Sequence, residues 1–434
     1  MAYGNAISYL YGLQKHGIKL GLDNALKLSV LLGNPQDSFR KIHVAGTNGK
    51  GSTSAITASV LKASGKRAGL FTSPHLVSFT ERIRVNGREI KEEEVVSLTD
   101  EIREKIRGGV KDPDFSPTFF EFVTAMGFVY FKRQEADWAV VETGMGGRLD
   151  ATNIILPEVS VITPVALDHR EFLGGSLKEI AAEKAGIIKQ GVPIVSAAQE
   201  PDAIDVIERM ADRMGAPLHL EGRDFRVELK GHGISGIYLD YSSSSLNLSG
   251  IGLPLAGAHQ AHNAGLAIKA AELVLGAEAG DKIKEGLSAV LWPGRLQRIS
   301  ASPEIFIDGA HNPAAARALS ETLKEEFVIK GRRIVLVMGI MADKDAAGIM
   351  EPLLPLASHI IFAAPAYERA ARPEELKRQA ASMGYESRTA DSVKGAIDAA
   401  AALGGPVVIT GSFYTAGEAM EAMGVKGVLT GLRE

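Results

Sequence analysis

The sequence predicts an α/β protein in two parts: an N-terminal P-loop-type doubly wound, mostly parallel sheet with a small β-rich appendage, and a smaller C-terminal Rossmann-like α/β domain. Three observations lead to it. Short apolar runs of the buried-strand type alternate with helical patterns over most of the chain. A glycine-rich turn carrying a lysine, Gly46-Thr47-Asn48-Gly49-Lys50-Gly51-Ser52-Thr53, joins one of those runs to a helix. After Trp292-Pro293-Gly294, where Pro-Gly ends a helix, the alternation begins afresh.

Taken in order, residues 41–45 read as a strand, 52–63 as a helix stopped by Gly65, and 67–71 as a second strand. Residues 119–133 form a long helical pattern with Phe, Val, Met and Tyr on its buried face. Runs 138–142 and 159–163 are continuous and apolar, as in strands covered on both faces. Helix 176–188, strand 193–196 and helix 201–214 continue the rhythm. It breaks at about 223–255, where Phe225, Val227 and Leu229, then Ile237 and Leu239, alternate with other residues at the period of antiparallel hairpins. A helical pattern returns over 259–291, and the domains divide as 1–294 and 295–434. Beyond that point strands are expected at 304–308, 333–338, 359–363 and 406–410, and helices at 313–326 and 373–383.

A chain of 434 residues exceeds one ordinary core, so two or three domains are expected. Hydrophobic residues make up 45% and charged residues 23%, with a formal net charge of −4. That balance leaves no basic footprint for nucleic acid. There is no cysteine, which excludes disulfides, thiolate zinc sites and thiol nucleophiles. No apolar run approaches the ~20 residues that span a bilayer. The first twenty positions, which carry Lys15, His16 and Lys19, lack the apolar core and small-residue cleavage site of a signal peptide. No membrane partner and a cytoplasmic location are therefore expected.

The glycine-rich turn follows strand 41–45 and opens a helix, the context of a phosphate loop. Backbone N–H groups can close around phosphate oxygens, the helix N-terminus adds partial positive charge, and Lys50 adds a full one. Ser52 or Thr53 can face a magnesium ion. The match to the common pattern is inexact: Gly51 follows the lysine, and Val44 stands where the first glycine belongs. Three further polar groups, Ser73, Glu142 and His169, follow strands 67–71, 138–142 and 159–163, all at the carboxyl edge where open α/β sheets bind ligands. Oxygen ligands with one imidazole suit a hard cation beside a triphosphate. Taken singly, each has a plain reading as a turn or surface residue, and Lys184 has one as a solvated helical lysine.

His43-Val44-Ala45 and the turn after it resemble the phosphate loop of folylpolyglutamate and dihydrofolate synthases, within the Mur ligase superfamily. Gly51 is what distinguishes that family from the cell-wall Mur ligases. Segments 11–21, 71–84, 142–153, 183–186, 308–313 and 410–412 resemble the family's other landmarks in the same order, so the resemblance spans nearly the whole chain. It implies that Thr47, Asn48, Gly49, Lys50, Gly51 and Ser52 hold ATP, with Asn263, Arg295, Asp308 and His311 completing the nucleotide site from both domains. It implies magnesium, two ions, on Ser73, Glu142, His169 and a carbamylated Lys184. Lys50, Glu142, His169 and Lys184 are the expected catalytic set.

For the acceptor, Thr118-Phe119-Phe120-Glu121 resembles the segment lining the dihydropteroate pocket in the bifunctional bacterial members, and Leu149-Asp150-Ala151 its partner. Asp150 suits the amino-pyrimidinone edge of a pterin. Of Phe119 and Phe120, one is expected to pack into the core. Ile18, Lys19 and Leu20 resemble a loop over the same pocket, and Ser412 is a candidate for the incoming glutamate; Phe413 stands where the family usually has Leu. Arg295 has a structural alternative as a domain-boundary ion pair.

The chemistry these parts imply is ligation. ATP phosphorylates a carboxylate, and the amine of L-glutamate attacks the acyl phosphate and expels phosphate. The acceptors implied are 7,8-dihydropteroate and tetrahydrofolates, and a monomer is expected. A cell-wall ligase is the second reading; Gly51, the Ser73-Pro74-His75 segment and the short stretch before the phosphate loop count against it. A nucleotide-binding regulator without catalysis is the third; it would lack some of Glu142, His169, Lys184 and Asp308, all of which are present.

Overall fold

The computed structural model describes residues 2–16, 21–109 and 115–424. Ile18, Lys19 and Leu20 lie outside the described residues. The first sheet has eight strands: β1 (Arg40–Ala45), β2 (Ala68–Phe71), β3 (Ile83–Val85), β4 (Arg88–Glu89), β5 (Trp138–Glu142), β6 (Val159–Ile162), β7 (Ile194–Ser196) and β8 (Leu218–Leu220). Their order is β4-β3-β2-β5-β1-β6-β7-β8, parallel except for the edge pair β3 and β4. Strand β1 is central, with Val44 beside Glu142 on β5 and Ala45 beside Ile162 on β6.

Both faces are covered, which is why these strands read as unbroken apolar runs. On one face, helices Lys50–Ala63, His259–Leu275 and Gly280–Ser288 share a core with Ile42, Val44, Val140 and Val161. On the other, helices Tyr3–Gly12, Glu92–Gly109 and Phe119–Arg133 enclose Phe71, Phe122, Phe128 and Phe131. Thr118 and Glu121 explain where that last helix starts. The Thr118 hydroxyl accepts the Glu121 N–H at 3.3 Å, and the Glu121 carboxylate accepts the Thr118 N–H at 2.6 Å. This reciprocal cap satisfies two donors that a helix start otherwise leaves unpaired.

The appendage is an antiparallel meander of β9 (Phe225–Gly233), β10 (Gly236–Ser243) and β11 (Asn247–Leu253). Its buried side, with Phe225, Ile237, Leu239 and Tyr241, packs on helix His259–Leu275. Under it Glu272 is buried and fully engaged. The Tyr241 hydroxyl donates to it at 2.6 Å, Ser243 at 2.9 Å and Lys269 at 3.2 Å, and the Ser245 hydroxyl also donates.

The second large sheet holds β12 (Gln297–Ala301), β13 (Glu304–Ile307), β14 (Ile334–Met338), β15 (Ala357–Ala363), β16 (Arg388–Ala390) and β17 (Val407–Thr410) in the order β12-β13-β17-β14-β15-β16. All are parallel except edge strand β12. Three local expectations change. The helical stretch 259–291 is two helices, broken at Gly276, which takes φ 85°. Helix 313–326 is α-helical over Pro313–Leu323 and closes in a wider π turn, Lys324–Val328. Strands β3, β4, β8, β12 and β16 were not visible as periodicity, because two to five residues carry too little pattern.

Removing the Glu272 side chain would leave Lys269 buried without its partner, so Glu272→Ala should cost about 3–5 kcal/mol in denaturant unfolding. Ser245→Ala, which removes one of four donors, should cost far less. Equal losses would mean that the carboxylate is not what the network depends on.

Candidate active site

The carboxyl ends of β1, β2, β5 and β6 open into a cavity of about 850 Å³ that the second domain closes from above. Every expected site residue among those described lines it except Thr53, which is buried behind Ser52.

The phosphate loop leaves β1 with Gly46 at φ 147° and Gly49 at φ 87°, and glycine is required at both for steric reasons as well. A Cβ on Gly46 would lie 1.8 Å from the Thr163 hydroxyl, and one on Gly49 2.2 Å from Asn263 Oδ1. Gly51 sits inside the helix, and a Cβ there would come within 2.9 Å of the Trp292 ring. The loop is braced against the segment after β6. Thr47 N–H donates to the Pro164 carbonyl at 3.0 Å, and its hydroxyl donates to the Ala166 carbonyl at 3.0 Å. Lys50 folds back to donate to the Thr47 carbonyl at 3.2 Å.

Around the loop, charge is buried with little compensation. Glu142 is 4% exposed and accepts the Ser73 N–H at 3.2 Å. Burial pushes its carboxyl up to about 7 against the pull of Lys50, Arg295 and Arg82. Lys184 is 3% exposed and donates to the Gly46 carbonyl at 2.8 Å, so the solvated reading is wrong for it. Burial, reinforced by the Lys50 charge, brings its ammonium down to about 7, so a sizeable neutral fraction exists at neutral pH. His169 opens toward the cavity and takes a left-handed φ of 50°, a costly conformation for a residue with a Cβ. Surrounding protein, with the Lys344 and Lys50 charges, lowers its imidazole to about 4 despite Asp168, so it is neutral and able to ligate.

These properties fit a cation beside a nucleotide. A desolvated carboxylate with one hydrogen bond gains from added positive charge, and a neutral imidazole and a serine hydroxyl can complete the donors. Among the described residues no three His, Cys, Asp or Glu side chains cluster tightly enough to hold a metal by themselves. The remaining ligands for such an ion are therefore water, nucleotide phosphate or a modified Lys184.

From the second domain, Asp308 follows β13 and accepts the N–H of Leu296 and of Ala310, both at 2.8 Å. Burial raises its carboxyl, with Arg295 opposing. Arg295 lies 4.9 Å from the Phe413 ring centre, and no carboxylate ion pair to it is found among the described residues. His311 donates from Nδ1 to the Gly309 carbonyl at 2.9 Å, which leaves Nε2 facing Asp168 at 3.7 Å. Asp168 also pairs with Lys344 at 2.7 Å and accepts from Asn312 at 3.2 Å. Asn312 in turn bonds Asn48 of the phosphate loop at 2.9 Å. Although burial works the other way, His169, Lys344 and His311 hold the Asp168 carboxyl well below the usual carboxylate range. Ser412 is buried as the cap of helix Phe413–Ala422, accepting the Thr415 N–H at 3.0 Å.

The far wall is aromatic. Phe119 stacks on Tyr11 at 5.5 Å, with the Arg82 guanidinium 5.2 Å from its ring centre. Phe120 covers Gly144, where a Cβ would lie 2.6 Å from its ring. Both phenylalanines are half-buried and face the cavity while resting on the core, so neither packs fully inside. Asp150 accepts from the Thr152 N–H and hydroxyl and from the Met145 N–H, at 2.6–3.0 Å. Sequence reasoning missed Arg82, Trp292, Asp168 as an interdomain anchor, and Lys344. Only the last two carried a signal, since each follows a strand at the carboxyl edge.

Comparison with known proteins agrees with this geometry. Residues 121–271 match the Mur ligase middle domain and residues 294–413 the Mur ligase, glutamate ligase domain. A dihydrofolate synthase/folylpolyglutamate synthase of Bacillus subtilis is 37% identical over 422 residues, covering 95% of this chain and 97% of that one. The Mycobacterium tuberculosis folylpolyglutamate synthase complexed with ADP superposes with a TM-score of 0.90 at 36% identity, over 97% of this chain and 100% of that one. Escherichia coli FolC in complex with DHPP and ADP superposes with a TM-score of 0.85 at 33% identity, over 96% and 97% of the two chains. With the phosphate loop, the strand-end carboxylate and the two-domain cavity in the same chain, this protein belongs to the folylpolyglutamate synthase/dihydrofolate synthase family of Mur-type ligases.

Proposed function

We propose that the cavity adds L-glutamate to 7,8-dihydropteroate and to the glutamyl tail of tetrahydrofolates at the expense of ATP, in a monomeric cytoplasmic enzyme whose domains divide at Gly294. The observation that carries this reading is that a phosphate loop, a desolvated strand-end carboxylate and an aromatic wall with Asp150 line one continuous space of about 850 Å³. The complexes of relatives with ADP and with DHPP support both halves of it.

The acceptor carboxylate takes the γ-phosphoryl group of ATP, and ADP leaves. The amine of glutamate attacks the acyl carbon, loses a proton, and phosphate departs from the tetrahedral intermediate. The chain's task is to bring two anions together. Lys50 and the N-terminus of helix Lys50–Ala63 face the phosphates, and Arg295, Asp308, Asn263 and His311 hold the nucleotide from the other sides. Magnesium, two ions, fits Ser73, Glu142, His169 and a carbamylated Lys184, and would supply charge neutralisation at the transferring phosphoryl group. The low ammonium pKa of Lys184 supplies the neutral amine that carbamylation needs. Phe119, Phe120 and Leu149 offer flat contacts to a pterin, and Asp150 a polar one. The contacts of Asp168 with Lys344, His311 and Asn312 draw the second domain over the cavity and exclude water from the acyl phosphate.

An acceptor screen tests the reading. Purified protein should release ADP with glutamate plus dihydropteroate, and with glutamate plus tetrahydrofolate or its glutamates. No ADP with any of them would refute it. Lys50→Ala and Glu142→Ala should each lower kcat by at least about a hundredfold while leaving the melting temperature near the parent value; near-normal turnover would remove that residue from the site. Gly49→Ala should abolish ATP binding in calorimetry, because the new methyl group meets both a left-handed φ of 87° and the Asn263 amide.

A further inference from the structure

We propose that His43 is a positioning residue for the acceptor: through the Thr152 hydroxyl it holds the Asp150 carboxylate at the cavity wall. This rests on the reading of Asp150 as the polar contact of the acceptor ring.

His43 lies inside β1, three positions before Gly46, and is completely buried. Its Nε2 is 2.8 Å from Thr152 Oγ1, and that hydroxyl is 2.6 Å from Asp150 Oδ1. The hydroxyl has one proton, and an ionised carboxylate only accepts. The Thr152 proton therefore goes to Asp150, and the imidazole must donate Nε2–H to Thr152. That assigns the tautomer and leaves Nδ1 bare, and Nδ1 has no hydrogen-bond partner. An orphaned buried nitrogen costs stability that a leucine of similar size would not. The sheet alone gives no reason for a histidine here: its β5 neighbour is Val141, and its β6 neighbour Ser160 donates its hydroxyl to the Ile187 carbonyl. The donated hydrogen bond does.

At the other end of the chain of contacts, Asp150 Oδ1 takes both Thr152 donors and Oδ2 takes the Met145 N–H at 2.9 Å. The Gly144 backbone bonds the same carboxylate, so these bonds fix its orientation at the cavity wall. His43 and Thr152 themselves are fully buried behind that wall, so they act through Asp150 and do not touch substrate.

Steady-state kinetics of the full chain with ATP, magnesium, glutamate and dihydropteroate test the proposal. His43→Leu should raise the acceptor KM about fivefold to tenfold, with the ATP KM and the melting temperature close to the parent and kcat changed less than KM. His43→Gln, whose amide can donate from the place of Nε2, should restore most of the loss. Thr152→Val should reproduce the rise, and the double variant His43→Leu/Thr152→Val should add nothing further. An unchanged acceptor KM in His43→Leu, an equal rise in the ATP KM, or no restoration by His43→Gln would overturn it. Should His43→Leu not fold, Thr152→Val carries the same expectation. Asp150→Asn separates the two levels. If it leaves the acceptor KM unchanged, the reading of Asp150 fails and the role of His43 falls with it. If it raises that KM while His43→Leu does not, only the relay is wrong.

Discussion

Strand β1 lies between β5 and β6, and the hydrogen bonds of that central ladder fix where three loops leave the sheet. Parallel strands in register end together. The phosphate loop after Ala45, Glu142 at the end of β5, and the Asp168-His169 segment beyond β6 are consequently neighbours, although over 90 residues separate the first from the second. The contact of Gly46 with Thr163, and the bonds from Thr47 to Pro164 and Ala166, show how closely the loop depends on β6.

A cavity built this way collects charge that the rest of the fold could not tolerate. Glu142 and Lys184 are each almost fully buried, each with one hydrogen bond to the backbone, and burial shifts both toward neutrality. Ordinary cores avoid such groups because desolvation costs more than a single hydrogen bond returns. A polyanion with its cations in the same space would offset that cost. The same logic separates this region from the appendage, where Glu272 is buried with four donors around it and needs nothing from outside.

At the cavity the two domains meet through polar side chains, beside an apolar contact in which Leu76 and Val77 pack into the second domain's core. Asn48 and Asn312 exchange hydrogen bonds, and Asp168 reaches Lys344 and Asn312 across the gap. Such contacts break and reform at modest cost, which suits a site that must admit substrates and release products. Asn312 joins local and global structure: the side chain that caps helix Pro313–Leu323 also bonds the phosphate loop.

Much of this was legible in the residues. The apolar runs at 138–142 and 159–163 and the glycine-lysine turn gave the parallel sheet and its nucleotide edge, because periodicity and turn chemistry are local. Apart from Thr53, every described site residue singled out from the sequence lines the cavity. What the sequence by itself determined was which types of group would stand at the strand ends. It could not determine how those groups share space. That Gly51 lies against Trp292 and that His43 reaches Asp150 through Thr152 both depend on contacts between residues more than 100 positions apart. Side-chain burial, tautomer and hydrogen-bond direction are set by neighbours that only the packed tertiary structure supplies.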